Sequence, residues 1–345
     1  MRKTSESTDF IAKNHETVSV VMCTYNGGRY VSQQLDSILS QTRPADEIII
    51  QDDGSTDNTW DILTLYASRN DTIKLYRNEA EHGINGNFFS AMRRAQGTFI
   101  AVSDQDDIWQ PNKLELQLSA IGSKLLCSCH SRPFSNDGSF AYYDSRRPNT
   151  CLPRMLFVNL PGHTFLFRRT LLTTLMPEKS EMYEVSFYDA ALCIAAAAYE
   201  SIAYVDEPLV DFRRHADART YNNFRKSLPG AANAIHQLLF TLRHYRALQR
   251  VAEPYLHARL TFLQQLGADT DASREAITML KLELTHGALN FLRLQRCFVN
   301  AAPRLFHTSG DGMAKRLRAL LYPVMQYYTY RGGVEQTDNK AVSKI

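Results

Sequence analysis

Three aspartates stand close together after a short apolar run: Asp104, Asp106 and Asp107 follow residues 98–102. An apolar run of this length, bounded by polar residues, predicts a buried strand. In open α/β sheets, ligands bind beyond the carboxyl ends of the strands. Carboxylates one residue apart at such an end can hold a hard divalent cation, and Mg²⁺ takes one or two carboxylates together with substrate phosphates. The spacing predicts a cation site, provided that other polar groups meet at the same edge.

Polar segments follow three other apolar runs in the first hundred residues. Each segment alone fits an ordinary turn or helix cap. Four of them at one predicted sheet edge indicate a ligand site instead. The three segments are Thr24-Tyr25-Asn26 after residues 18–23, Asp52-Asp53-Gly54-Ser55 after residues 47–51, and Asn78, Gly83 and Asn87 after residues 73–76.

The elements that must position these residues alternate along the chain. Val31, Leu35, Ile38 and Leu39 recur at helical spacing, and similar patterns predict helices near residues 60–67, 87–94 and 111–121. Strands that alternate with helices predict right-handed crossovers and a parallel sheet. The fold class expected is therefore α/β, a Rossmann-like and mostly parallel sheet flanked by helices.

The rest of the chain changes character twice. Residues 132–150 are rich in Ser, Asn, Asp, Gly and Pro and predict a long loop, and residues 189–199 predict a helix. From residue 222 onward the pattern predicts helices only, with Ile235, Leu239 and Leu242 on one apolar face. A C-terminal all-helical extension is expected.

Composition describes an ordinary globular protein: 345 residues, 44% hydrophobic and 22% charged, with a formal net charge of +3. The polar segment 1–17 lacks the apolar core of a signal peptide, and no run approaches the length of a membrane span. The six cysteines show no zinc-ligand spacing, so a reducing compartment is expected. These features predict a cytoplasmic protein, peripheral on the inner face of the cell membrane if it meets the membrane at all.

The motifs resemble those of glycosyltransferase family 2, whose members have the A-type nucleotide-sugar-binding fold. The likeness is specific over residues 18–113, fainter to residue 215 and absent beyond, and within the family it is closest to bacterial rhamnosyltransferase-like enzymes of lipopolysaccharide or other surface polysaccharide synthesis. The matching segments are Cys23-Thr24-Tyr25-Asn26-Gly27, Gln41-Thr42, Asp52-Asp53-Gly54-Ser55-Thr56-Asp57, Ser103-Asp104-Gln105-Asp106-Asp107-Ile108-Trp109 and, more weakly, Asn78, Gly83 and Asn87-Phe88.

The resemblance implies a donor site for a nucleotide diphosphate sugar, with UDP or dTDP favoured as the nucleotide. Tyr25 would stack on the base beside Thr24, and one carboxylate of Asp52 and Asp53, preferably Asp53, would accept a hydrogen bond from the base. Asp104 and Asp106 would hold Mg²⁺ or Mn²⁺ against the diphosphate, with Asp107 adjacent. The donor-site residues implied are Thr24, Tyr25, Asn26, Asp52, Asp53, Asn87, Asp104, Arg213 and Arg214.

The resemblance also implies an acceptor side. Asp189, at the start of a predicted helix, would act as the catalytic base of an inverting transfer, although Asp at that place also fits a helix cap. His215, after Arg213 and Arg214, would be a third metal ligand or a phosphate contact, and an exposed loop histidine fits equally. Residues 161–163 fit a close approach to the acceptor or a simple turn.

The C-terminal region is basic and rich in aromatic residues. From Lys281 to Arg331 there are eight Lys and Arg residues against two acids. Such helices suit an anionic membrane surface, and a bundle packed on the catalytic domain fits equally, whereas nothing accompanies them that would indicate a nucleic-acid partner.

The function expected is transfer to a glycan acceptor, lipid-linked in our interpretation, by a metal-dependent enzyme of the hexosyltransferase type. The alternative is a catalytically inactive nucleotide-sugar-binding scaffold of a glycan assembly complex. The expected division is a polar segment 1–17, a catalytic domain 18–221 and a helical region 222–345.

Overall fold

A computed structural model of the chain describes residues 16–79, 81–135, 145–215, 231–285, 287–306 and 312–334. Most of the predicted N-terminal segment and the predicted boundary at residues 221 and 222 lie outside these ranges. The strands are β1 (Val18–Thr24), β2 (Glu47–Asp52), β3 (Ile73–Arg77), β4 (Phe99–Ser103), β5 (Ile108–Trp109), β6 (Leu126–Phe134), β7 (Leu166–Arg168) and β8 (Ile202–Arg213).

Twelve α-helices accompany the strands within the described residues. They are α1 (Val31–Leu39), α2 (Thr59–Ala67), α3 (Ile84–Arg94), α4 (Lys113–Ile121), α5 (Leu152–Met155), α6 (Met182–Val185), α7 (Tyr188–Ala198), α8 (Ala231–Arg243), α9 (Tyr245–Leu266), α10 (Asp271–Leu284), α11 (Ala288–Leu305) and α12 (Gly312–Met325).

All eight strands form one sheet in the order β3-β2-β1-β4-β7-β6-β8-β5. The first half, β3-β2-β1-β4, is parallel, which confirms the α/β prediction. In the second half, β7 pairs antiparallel with β4 and β6, and β5 pairs antiparallel with β8, so the complete sheet is mixed. Strand β6 runs to Phe134 and occupies the beginning of the predicted loop, of which residues 136–144 lie outside the described ranges.

The sheet is covered on both faces, which explains why its strands read as continuous apolar runs. Alternate residues of β1 point to opposite sides: Val20 and Met22 join one buried cluster, Val21 and Cys23 the other. Helices α1, α2 and α4 contribute to the first cluster. Helices α3, α7, α9 and α10 contribute to the second, so part of the C-terminal helical region packs on the sheet.

Helices α10, α11 and α12 also share a smaller cluster of their own around Phe298 and Tyr322. Across the described part of the chain, no helix is both long enough and apolar enough to cross a bilayer.

One charged side chain lies inside the core of the first face. Lys113, at the start of α4, is fully buried; its Nζ atom donates to Gln117 Oε1 at 2.8 Å and lies 3.9 Å from the centre of the Trp109 ring. Burial lowers the pKa of Lys113 to about 8. The amine therefore holds Trp109 and α4 in place behind the acidic segment. Because the charged amine is kept from water, its burial lowers the stability of the fold while Lys113 is protonated.

We expect stability to depend on the charge of Lys113. The folded pKa lies below that of the unfolded chain, so the folded state is penalised while the amine is charged, and the penalty fades as the pH rises from about 8 to about 10.5. In Lys113→Met this titration is absent. Between about pH 7 and about pH 10.5, the unfolding free energy of the wild type should thus rise by about 3 kcal/mol relative to that of the variant, measured by denaturant titration. The exposed substitution Lys179→Met serves as the control, and parallel pH profiles for wild type and Lys113→Met would contradict the assignment.

Candidate active site

The predicted polar segments do meet at one edge of the sheet. Thr24 at the end of β1 is the register partner of Asp52 at the end of β2, and Met22 is the partner of Ser103 at the end of β4. The carboxyl ends of these parallel strands therefore lie side by side, and the loops that follow them form the candidate active site.

The first two loops are locked together by hydrogen bonds. Asn26, with φ of 48°, accepts from the backbone N–H of Thr56 at 2.8 Å, and its own N–H donates to Ser55 Oγ at 2.9 Å. Asn tolerates this left-handed backbone conformation better than most residues. The N–H groups of Gly27 and Gly28 donate to Thr59 Oγ1 and Asp57 Oδ2. Asn26 is thus engaged within the protein and fixes the loop that carries Tyr25.

The two aspartates after β2 have different surroundings. Asp52 is fully buried and accepts from Thr24 Oγ1 at 2.9 Å, from Ser55 and Gly54 backbone N–H groups and from Arg77. Thr24 and Asp52 therefore hold the loops in place.

Asp53 lies at the site edge, with contacts of its own. Its carboxylate accepts from Asn78 Nδ2 at 2.6 Å and from the Gly83 N–H at 2.8 Å, and Oδ1 lies 2.9 Å from His82 Nδ1. These contacts orient the Asp53 carboxylate, which the family resemblance favoured as the acceptor of a hydrogen bond from the nucleotide base. Asn87, by contrast, is buried and exchanges amide hydrogen bonds with Gln51, so its side chain supports α3 against β2.

Tyr25 presents an open aromatic surface, with 57% of the residue exposed. Its backbone is held from the other side of the site: the Tyr25 N–H donates to Gln105 Oε1 at 2.9 Å, and Gln105 Nε2 donates to the Tyr25 carbonyl at 3.0 Å. A Cβ on Gly27 would collide with Gln105 Oε1, so a larger residue there would push the Gln105 amide away from Tyr25. Gln105, a residue that sequence reasoning did not assign, joins the base-side loop to the acidic segment.

Asp106 and His215 lie in contact. His215 Nε2 lies 2.8 Å from Asp106 Oδ2, and Arg213 clamps the same segment by donating to the Asp106 carbonyl at 2.8 Å and, through its backbone N–H, to Asp107 Oδ1 at 3.0 Å. The Arg213 guanidinium is buried, bonded also to Gln33 and in contact with aromatic rings. Arg214, next to it, is half-buried with its guanidinium 5.4 Å from the Phe212 ring centre.

A second grouping brings together Asp104, Asp107 and His163. His163 Nδ1 lies 3.5 Å from Asp104 Oδ2 and 3.8 Å from Asp107 Oδ2, and the ring stacks on Phe212. One ligand atom from each of the three residues can be chosen so that all lie within 4.8 Å of one another. From the sequence, residues 161–163 were predicted only as an acceptor approach or a turn, because nothing local places His163 beside the acidic segment.

The acidic residues are held in an unfavourable electrostatic environment. Burial, followed by the charge of Asp104, raises the pKa of Asp106, and burial raises the pKa of Asp107 far above its usual range. Burial works to lower the pKa of His163, yet the carboxylates of Asp107 and Asp104 raise it on balance. Carboxylates crowded in this way are stabilised by an added positive charge.

The donor atoms fit a divalent cation. Asp107 Oδ2 and His163 Nε2 are buried and have no hydrogen-bond partner within the described residues, and buried polar atoms without partners are rare in proteins. Carboxylate oxygens suit Mg²⁺ and Mn²⁺, and an imidazole nitrogen is compatible with a transition metal. Two ligand sets are therefore available, the predicted Asp104, Asp106 and His215, and the geometric cluster Asp104, Asp107 and His163.

Asp189 lies in the first turn of α7 and does not cap it. The N-cap residue is Phe187, which makes no side-chain cap, and Asp189 Oδ1 accepts from the adjacent Ala190 N–H at 2.7 Å. The pKa of Asp189 is raised to about 6, chiefly by burial; the charge of Asp104 contributes to the rise, and His163 opposes it. That the charges of Asp104 and His163 both act on Asp189 indicates that it lies near the acidic segment. A pKa near neutrality suits a general base.

Asn85 positions the start of α7, and sequence reasoning missed it. Its side-chain Nδ2 donates to the carbonyls of Tyr183 and Ser186, and its Oδ1 accepts from the Tyr188 N–H at 2.8 Å. Tyr188 stacks on Phe88 with ring centres 4.2 Å apart. These contacts run across about a hundred residues of sequence, which is why no local pattern indicated them.

Comparisons with known proteins bear on the family and the fold. Residues 19–186 match the family model described as Glycosyl transferase family 2. The Escherichia coli enzyme UDP-Glc:alpha-D-GlcNAc-diphosphoundecaprenol beta-1,3-glucosyltransferase WfgD is 43% identical over 105 residues, which are 30% of this chain and 40% of that protein. The chain spans between 30% and 40% of the length of the first curated relatives it matches.

Two likenesses extend over nearly the whole chain. The uncharacterized protein Rv1520 of Mycobacterium tuberculosis is 26% identical over 322 residues, 88% of this chain and 90% of that protein. The structure of S. aureus TarS residues 1–349 in complex with UDP-GlcNAc has a TM-score of 0.52 at 16% identity and covers 93% of this chain and 92% of that chain. At this identity the structural likeness shows a shared fold.

Substitution of the buried Asp189 should change the stability and the activity of the protein in opposite directions. The raised folded pKa means that folding is penalised by Asp189 ionisation, progressively above the unfolded value of 3.8 and fully above about pH 6. Asp189→Asn should therefore raise the unfolding free energy of the metal-free protein at about pH 8 by on the order of 2 kcal/mol, and by little at about pH 4. The same variant should lose sugar transfer by a factor of about 100 or more.

Denaturant titration at both pH values, together with a transfer assay, measures both effects. Glu184→Gln, at an exposed position close by, should change neither quantity. Full transfer activity in Asp189→Asn, or unchanged stability at the higher pH, would contradict the assignment.

Proposed function

We propose that the chain, whose residues 19–186 match the model of glycosyl transferase family 2, transfers a sugar from a nucleotide diphosphate donor to a glycan acceptor with inversion at the anomeric carbon. The observation that carries the proposal is the convergence of Asp104, His163 and Asp189 from three separate segments: His163 Nδ1 lies 3.5 Å from Asp104 Oδ2, and the charges of both residues act on Asp189. Acid–base and cation-binding groups are thereby combined in one site, as such a transfer requires.

On the donor side, Tyr25 stacks on the nucleotide base, and Asp53 accepts a hydrogen bond from the imide N–H of that base. Because uracil and thymine carry such an N–H, UDP or dTDP is favoured. Thr24, Asn26, Asp52 and Asn87 hold the loops that carry these groups, as their contacts within the protein support. Arg213 fixes the acidic segment, which leaves Arg214 as the preferred diphosphate contact because a guanidinium matches phosphate geometry.

Asp104 would hold Mg²⁺ or Mn²⁺ with either Asp106 and His215 or Asp107 and His163. A cation there would act as a Lewis acid that stabilises the negative charge of the departing diphosphate.

On the acceptor side, Asp189 removes the proton of the attacking hydroxyl. The hydroxyl oxygen forms a bond to the anomeric carbon as the bond to the diphosphate oxygen breaks on the opposite face, so the configuration inverts. The proton remains on Asp189 and the electron pair leaves with the nucleoside diphosphate. A pKa of about 6 leaves Asp189 ionised at neutral pH and still basic enough to accept the proton.

We further propose that the acceptor is lipid-linked, that the enzyme is of the hexosyltransferase type and serves surface polysaccharide or lipopolysaccharide synthesis, and that it works in the cytoplasm at the inner face of the cell membrane. The undecaprenol-linked acceptor in the name of the E. coli relative supports the first point. The catalytic domain in this proposal is 18–221, followed by the helical region 222–345. The alternative, an inactive scaffold, would bind the nucleotide sugar without transferring the sugar.

Calorimetric titration with UDP, dTDP and GDP, each with and without Mn²⁺, tests the donor site. We expect Mn²⁺-dependent binding of UDP or dTDP, weakened about tenfold or more in Asp106→Ala if Asp106 is a ligand and in Asp107→Asn if Asp107 is one. The exposed substitution Asp71→Asn should bind like wild type. Absence of binding for all three nucleotides, or equal affinity with and without Mn²⁺, would contradict the proposal.

A further inference from the structure

The exposed apolar side chains of this protein are concentrated in three helices. Thirteen large hydrophobic residues are exposed in the described part of the chain, and nine of them belong to α8, α11 and α12. Contiguous apolar patches on a protein surface mark sites of interaction. The nine are Ile235, Leu239 and Leu242 in α8, Leu289 and Leu292 in α11, and Met313, Leu317, Leu320 and Leu321 in α12.

The spacing of these residues makes a stripe on each helix. In α8 they recur at i, i+4 and i+7, and in α12 at i, i+4, i+7 and i+8, which places them on one helical face. The apolar face that the sequence predicted for Ile235, Leu239 and Leu242 therefore exists, but it is turned to solvent. Leu239, for example, is 61% exposed.

The three helices adjoin one another. Gln295 of α11 donates to the Leu320 carbonyl of α12 at 3.0 Å, and α8 contacts α12. The three stripes therefore lie on helices that contact one another, and we call them together the apolar face. It borders a cavity of about 490 Å³ whose lining includes Leu242, Phe291 and Leu294, so apolar surface continues inward from the face.

The charge of these helices has one sign. They contain 13, 18 and 14 residues and not one Asp or Glu, whereas the neighbouring α10 carries Asp271, Glu275 and Glu283. Arg304 of α11 pairs with Glu275 of α10 at 2.8 Å. None of the bases of α8, α11 and α12 has an acid on its own helix. The Lys and Arg residues are Arg243, Arg293, Arg296, Arg304, Lys315, Arg316 and Arg318.

We propose that α8, α11 and α12 dock the protein on an anionic lipid bilayer, with the apolar face inserted at the headgroup boundary and the flanking bases on the lipid phosphates. Amphipathic helices with a basic polar side bind anionic interfaces in this way. Each Lys or Arg near such a surface adds to the attraction. The proposal deepens the proposed function, in which the acceptor is lipid-linked, by naming the surface that meets the lipid.

Charge decides between this occupant and the alternatives. A second copy of the chain would bring the same basic helices against themselves, which opposes association. Nucleic acid would use the bases and leave the exposed leucines without a role, because its affinity comes chiefly from the phosphates. An anionic bilayer satisfies both the bases and the leucines.

Co-sedimentation of the full chain with vesicles tests the proposal. The vesicles are phosphatidylcholine alone, and phosphatidylcholine with about one third phosphatidylglycerol. We expect binding to the anionic vesicles and little to the neutral ones. Arg293→Gln with Arg316→Gln should weaken that binding by about tenfold to thirtyfold, and Leu239→Gln with Leu317→Gln should weaken it by a similar factor because inserted apolar area is lost.

Matched controls use exposed positions elsewhere. Arg69→Gln with Lys179→Gln removes two bases, and Leu65→Gln removes a leucine, and both should bind vesicles like wild type. Equal losses in variants and controls, no vesicle binding, or vesicle binding insensitive to the leucines would overturn the proposal. So would dimerisation without lipid that Leu239→Gln with Leu317→Gln abolishes.

Nucleotide affinity, measured on the same variants, separates this proposal from the proposed function. We expect the docking variants to bind the nucleotide like wild type. Vesicle binding by a chain that binds no nucleotide would leave the docking face in place and remove the donor site.

Discussion

Negative charge crowded at the end of β4 is the constraint on which the site depends. Asp104, Asp106 and Asp107 follow a buried strand within four residues, and the protein must hold them against their mutual repulsion and against the loss of water. It does so with His163 from a turn, with His215, and with the backbone and guanidinium of Arg213 from β8. The second half of the sheet brings these partners to the carboxyl edge of the first half. The raised pKa values of Asp106 and Asp107 show that the compensation is incomplete, and a site left short of positive charge is ready for a cation.

The residues of the site divide into those that hold and those that face the ligand space. Asp52, Thr24, Asn26 and Asn87 are engaged with their neighbours and make the loops rigid, whereas Tyr25 leaves its ring open to solvent. A binding group needs such support, because its geometry is only as exact as the contacts behind it. Asn85 has the same relation to Asp189: it contacts no predicted ligand and holds the segment from which α7 starts.

The parallel half of the fold and its polar edge could be predicted from the sequence because both are local. An apolar run with a polar end, such as residues 98–107, contains the strand, its burial and its exit to the ligand edge in one segment. The places of His163 and Asn85 could not be predicted, because each depends on pairing between segments far apart in sequence. Strand β7 has only three residues, too few for a pattern to specify its direction. The stripe of Ile235, Leu239 and Leu242 was visible as an apolar face, but periodicity does not tell what covers a face.

Gln105 connects the two halves of the site. It stands between Asp104 and Asp106 in sequence, and its amide holds both backbone groups of Tyr25. The loop for the base and the segment for the cation are therefore one mechanical unit, and a ligand that orders either part orders the other. In the proposed function, the cation and the nucleotide would bind at the two ends of this unit, and each would then strengthen the binding of the other by the same factor.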